Sequence, residues 1–184
     1  MRFKGIPIVA AFVTVAFFML PLQVFGASAK ETVEVQVNKV LTTLAEPAFK
    51  DQPRDAKIVK IRSIVNEIFD YTELSKRTLG REWAKFNDQQ QAEFIKLFSD
   101  LLEKTYADRL LSYSNEKVVF DKETVLREGQ VEVTSNIITG DGKKIPLDYR
   151  LISKGSTWGV YDVIIEGISL VKNYRDQFRD ILAK

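Results

Sequence analysis

The hydrophobic pattern of this chain changes period near Lys117. Upstream, apolar residues recur at the spacing of helices; from Lys117 to Glu166 they alternate in twos, as strands do. Helices first and strands second imply an α+β fold, with helices laid on one face of a sheet. Four strands are expected near 117–126, 129–139, 143–152 and 157–166. The turns between them are Glu128-Gly129, Gly140-Asp141-Gly142 and Lys154-Gly155-Ser156. Turns this short make the sheet an antiparallel meander.

The middle turn sets the register. A two-residue loop at Asp141-Gly142 would put Asn136 opposite Leu147. A three-residue loop over Gly140–Gly142, with Gly142 left-handed, puts Val133 opposite Tyr149 and Ile137 opposite Ile145. The second register keeps apolar with apolar and is preferred. Carried across the third turn, it places Val131, Val133, Ile137, Ile145, Leu147, Tyr149, Leu151, Tyr161, Val163 and Ile165 on one face. Glu132, Asp148, Arg150, Asp162 and Glu166 take the other.

The upstream half reads as four helices and a connector. Val33, Val37, Val40, Leu41 and Leu44 mark a first helix ended by Pro47, although Val33, Val35 and Val37 also alternate as a strand would. Ile58, Ile61, Ile64, Val65, Ile68 and Phe69 share one face of a second. Asp70 and Glu73 form a capping box for a short third helix that Gly80 stops. Trp83 and Phe86 belong to a brief helical connector. Asn87 or Asp88 caps a long helix whose stripe runs Phe94, Leu97, Phe98, Leu101, Leu102, Tyr106 and Leu110, with Asp100 and Lys104 paired on its wet side. A last helix from about Ile168 packs Leu170, Tyr174, Phe178 and Ile181 on the body.

Residues 1–29 stand apart. Arg2 and Lys4 precede an apolar run from Ile6 to Leu20, and small residues follow at Gly26, Ala27, Ser28 and Ala29. This is the pattern of a secretory signal peptide, cleaved after Gly26 or after Ala29. The run is short for an uncleaved anchor, because a bilayer span takes about 20 residues. Residues 30–184 then form a single domain. The chain has 27 Lys and Arg against 25 Asp and Glu. Losing Arg2 and Lys4 leaves 25 of each, so the mature chain has no overall attraction for nucleic acid.

Neither Cys nor His occurs anywhere. That removes thiolate nucleophiles, imidazole bases and His or Cys metal sites. Three uses of the remaining surface are open. The large apolar supply can close as an ordinary core or leave a ligand-sized cavity, and Tyr106, Tyr149 and Tyr161 suit a pocket mouth. Asp162 could serve as a general base beside a Tyr hydroxyl in an isomerase-type enzyme, although the preferred register turns it away from the apolar face. Lys76, Arg77 and Arg81 could form a basic docking patch.

Four stretches carry a resemblance: FDYTELSKRTLGREW (69–83), TYADRLLSY (105–113), DGKKIPLDYRL (141–151) and WGVYDVIIEGISLVKNYRDQF (158–178). In order, and over nearly the whole mature chain, they resemble the MlaC family, periplasmic phospholipid-binding proteins also called toluene-tolerance auxiliary components. The resemblance implies a cone similar to nuclear transport factor two and the cystatins, with a deep apolar pocket between sheet and helices. It implies no enzyme activity and no cofactor, but a diacyl phospholipid as cargo, both tails buried and the headgroup outside. It also implies a monomer in the periplasm, shuttling lipid between an outer-membrane lipoprotein–porin complex and an inner-membrane ABC transporter with an MCE-domain subunit, and so maintaining outer-membrane lipid asymmetry. By position, Tyr106, Leu110, Val133, Ile145, Leu147, Tyr149, Val163 and Ile168 should line the pocket. The face assignment adds Leu102 and Ile137.

Overall fold

The computed structural model describes residues 26–113 and 116–182. Residues 1–25 of the expected leader lie outside the described residues. The next residues are already engaged: the Trp158 indole N–H donates to the Ala27 carbonyl at 3.1 Å. Ser28 opens α1 (Ala29–Ala45) with a complete capping box, its hydroxyl accepting from Glu31 N–H while the Glu31 carboxylate accepts from Ser28 N–H.

A single turn, α2 (Pro47–Lys50), leads to α3 (Arg54–Val65). Here α3 is shorter than expected, because Ile68 and Phe69 leave the helix to meet the sheet. Phe69 bridges Val160 in parallel, and the amides of Val160 and Asp70 bond the carbonyls of Ile68 and Val160 at 2.8 Å each. Asp70 caps α4 (Tyr71–Leu79) by accepting from Glu73 N–H at 2.9 Å, but only this half of the expected box forms. The Glu73 carboxylate turns instead to Arg77, 2.7 Å away. Gly80, at φ +58°, ends the helix where an L-residue would be strained. After a 3-10 turn over Gly80–Lys85, Asn87 and Gln90 complete the capping box of α5 (Asp88–Leu111).

Two expectations for α5 fail. Leu97 and Leu101 are exposed rather than part of a continuous buried stripe. Asp100 faces Arg62 of α3 at 3.3 Å, because an Arg across a helix–helix groove competes with the local Lys104. Phe98 and Leu102 carry the buried side, packing with Leu74, Val171 and Tyr174.

The four expected strands are β1 (Lys117–Arg127), β2 (Gln130–Ile138), β3 (Lys144–Lys154) and β4 (Thr157–Ile165), paired in sequence order. The preferred register is the observed one: Val133 opposes Tyr149, and Ile137 opposes Ile145 around a three-residue loop with Gly142 at φ +82°. A fifth strand was not expected. The two-residue β5 (Ile168–Ser169) folds back on β4 through Glu166 and Gly167, both at positive φ, as a two-residue hairpin turn requires. Glu166 is therefore a turn residue, not a member of the outer face.

The β3–β4 pairing also departs from strict alternation. Arg150 opposes Asp162 but Leu151 opposes Val160, so Tyr161 is the extra residue of a bulge. Val160 takes the inner position, and Tyr161 is displaced from the face expected for it. Its hydroxyl meets Gln130 at 3.3 Å and the Arg77 guanidinium lies 3.8 Å over its ring.

The final helix is α6 (Leu170–Leu182). Leu170, Val171 and Tyr174 are buried, and Phe178 packs edge-on against Phe94 and Phe98. Ile181, expected to pack on the body, is 63% exposed because the helix has by then run past it.

Candidate functional site: an apolar cavity between sheet and helices

Helices and sheet do not close on each other. Between them lies a cavity of about 530 Å³, walled by α1, α3 and α5 on one side and by β2, β3 and β4 on the other. Of the ten residues named from sequence, eight line it: Leu102, Tyr106, Leu110, Ile137, Ile145, Leu147, Tyr149 and Val163. Two do not. Val133 is fully buried in the core beside Tyr149, and Ile168, on the far side of the β4–β5 turn, is 62% exposed. Sequence position alone did not reveal that turn.

The helical wall was missed as a site. Val33, Val37, Val40 and Leu44 of α1, Ile58, Ile61, Ile64 and Val65 of α3, and Ile68 and Phe69 beyond it all face the cavity. Their helical spacing marked them as an apolar face. Such spacing cannot tell a wall from a packed core, since both are lined alike.

Strand pairing orients the cavity. At one end Val131, Leu151 and Val160 lie side by side with Val33, and each is nearly or wholly buried. At the other end Val118, Ile137 and Ile145 are neighbours, and β4 runs out at Ile165 and Glu166. The last turn of α5 reaches the same end, where Arg109, Leu110 and Ser112 are exposed. The cavity is thus blind at the Val160 end and open at the Glu166 end. From Ile137 to Val131, strand rise gives a depth of roughly 20 Å.

Few polar groups interrupt the lining. Arg62 is held by Asp100 and Glu103. Burial pushes the phenols of Tyr149, Tyr71 and Tyr106 up from their ordinary range, with Tyr174 adding to the effect at Tyr106 and Arg109 opposing it. These hydroxyls therefore stay neutral, and the Arg62 charge in the wall is already met by Asp100 and Glu103. Among the described residues no group of three or more acids could hold a metal ion, and no helix is long and apolar enough to cross a membrane.

Asp162 sits outside this cavity on the opposite face of the sheet. Its carboxylate accepts from the Ser169 hydroxyl at 2.6 Å and from Val171 N–H at 3.0 Å, with Arg150 3.6 Å away. It cannot reach a molecule held among the cavity tyrosines. Of the basic patch, Arg77 is spoken for: it pairs with Glu73 and covers Tyr161, and its carbonyl accepts two bonds from Arg175, whereas Lys76 and Arg81 stay exposed.

Residues 34–184 match the family described as "MlaC protein". The chain belongs to the MlaC family. A curated relative from Haemophilus influenzae, the intermembrane phospholipid transport system binding protein MlaC, is 30% identical over 76% of this chain and 72% of its own length. The toluene tolerance protein ttg2D of Pseudomonas putida is 26% identical over 67% of this chain and 58% of its own. A phospholipid-binding protein from Ralstonia solanacearum, solved in complex with a phospholipid, superposes with a TM-score of 0.77 at 28% identity. That match covers 85% of this chain and 88% of the other. The α+β architecture described above is that of this MlaC-like neighbour.

Proposed function

We propose that the protein is a periplasmic phospholipid carrier, not an enzyme, and that the acyl chains of one diacyl phospholipid occupy the cavity with the headgroup at its open end. The observation that carries this reading is a blind apolar cavity in a chain whose structural neighbour was solved with a phospholipid. A depth of roughly 20 Å suits a fatty acyl tail, because each leaflet contributes about half of a 30 Å hydrocarbon layer. Leu102, Tyr106, Leu110, Ile137, Ile145, Leu147, Tyr149 and Val163 are the tail-contacting residues among those read from sequence.

The energetics suit a shuttle. Two tails hold about 30 methylenes, each worth ~0.8 kcal/mol out of water. Loss of lipid to water is therefore negligible. A bilayer offers nearly the same burial, so transfer between membrane and cavity is close to balanced. Partners can then tip it by about 1–3 kcal/mol of coupling. Those partners are the outer-membrane lipoprotein–porin complex and the inner-membrane ABC transporter with its MCE-domain subunit, and the outcome is maintained lipid asymmetry. Export follows from the leader. Cleavage after Gly26 leaves Ala27 and Ser28 in place for the Trp158 bond and the α1 cap.

Leu147→Glu tests the assignment, since it puts a carboxylate on the cavity wall at a half-buried position beside the core. The variant should keep its circular dichroism spectrum and lose co-purifying phospholipid in native mass spectrometry. A folded variant that still carries one diacyl lipid per chain would contradict it.

A further inference from the structure

The open end of the cavity carries two charges that the fold leaves uncommitted. Arg109, in the last turn of α5, lines the cavity and is exposed. Among the described residues no carboxylate lies within ion-pair distance of it. The other arginine of the lining, Arg62, is bound to Asp100 and Glu103, and the neighbouring Asp108 is taken by Arg54 at 2.7 Å. The Arg109 charge is felt at the Tyr106 phenol, so its field reaches into the cavity. On another rim of the same opening, Glu166 sits at φ 51° in the β4–β5 turn, where a non-glycine residue is uncommon. Among the described residues no Lys or Arg pairs with it. Its backbone is pinned by the 3.0 Å bond from its N–H to the Pro146 carbonyl, which fixes the rim to β3. Glu116 also lines this end, and Lys143 and Lys144 lie on the adjacent hairpin outside the lining.

We infer that this rim reads the headgroup: Arg109 holds the phosphodiester, and Glu166 faces a positively charged group beyond it, so that a zwitterionic lipid is favoured. This rests on the carrier reading above. A guanidinium is the side chain best matched to a phosphate, offering paired donors in one plane. An anionic headgroup such as phosphoglycerol satisfies Arg109 but presents no cation to Glu166. Diacylglycerol, with the same tails and no phosphate, satisfies neither.

The test offers the protein, stripped of lipid, vesicles containing phosphatidylethanolamine, phosphatidylglycerol and diacylglycerol with identical acyl chains. Protein-bound lipid is then counted by mass spectrometry. The unaltered protein should enrich phospholipid over diacylglycerol, and phosphatidylethanolamine over phosphatidylglycerol, by about two- to fivefold each, the scale of an exposed ion pair. Arg109→Gln should erase the first preference and Arg109→Lys restore part of it. Glu166→Gln should erase the second and leave the first. Bound ratios equal to those of the vesicles, or ratios that neither variant moves, would overturn the inference while leaving the carrier intact. A protein that takes up none of the three lipids would overturn the carrier reading and this inference with it.

Discussion

Asp162 is 2% exposed and carries its charge into the sheet's outer face. Ser169, the Val171 amide and Arg150 together compensate its desolvation and tie β4 to the start of α6. Truncation to Ala leaves the Ser169 hydroxyl and the Val171 amide without their acceptor, while Arg150 keeps Glu132 at 2.8 Å, and should cost about 1–3 kcal/mol in urea unfolding. Asp162→Asn keeps the shape and should cost less, and its folded fraction should load lipid normally; an Asp162-dependent enzyme would instead be silenced. Tyr149 makes a different prediction. Burial raises its phenol above the ordinary value of 10.0, so the native state holds a proton that the unfolded chain releases. That stabilisation is complete below pH 10 and declines above it, by up to ~1.4 kcal/mol per pH unit. Tyr149→Phe should flatten the fall in unfolding free energy measured between pH 10 and 11.

At the scale of elements, the faces of β2 and β3 were legible because alternation and one glycine loop gave the same answer: Gly142 could take the left-handed position, and that alone aligned Ile137 with Ile145. Alternation then misled at Tyr161. One inserted residue in β4 exchanges Val160 for Tyr161 on the inner face, and a bulge leaves the composition of a strand unchanged. Ile168 was misplaced for a related reason: two residues of β5 are too few to show a period. The cavity itself was not legible, since Ile61 of α3 or Val40 of α1 reads alike against side chains or against empty space. Helix starts fared better, because capping is local. Asn87→Ala should remove the α5 cap and lower stability by about 1 kcal/mol, seen in the urea midpoint. Amino-terminal sequencing of the exported protein should begin at Ala27, retaining Ser28 above α1; a start at Lys30 would contradict that placement of the cleavage.

For the whole molecule, the cavity is a debt in packing that hydrocarbon would settle. Interiors are otherwise close-packed, and a void forfeits the contacts its lining could make. A ligand that binds only the folded state adds stability by mass action. Stripping the lipid should therefore lower the melting temperature, and adding phospholipid should restore it, with Leu147→Glu insensitive to either. The most direct measurement places the tails themselves. A crystal of the protein loaded with a phospholipid brominated near the acyl-chain ends should show its anomalous peaks at the blind end, among Val33, Ile68 and Val160. Bromine on the outer surface of the protein, or a closed interior with no lipid in it, would contradict the carrier.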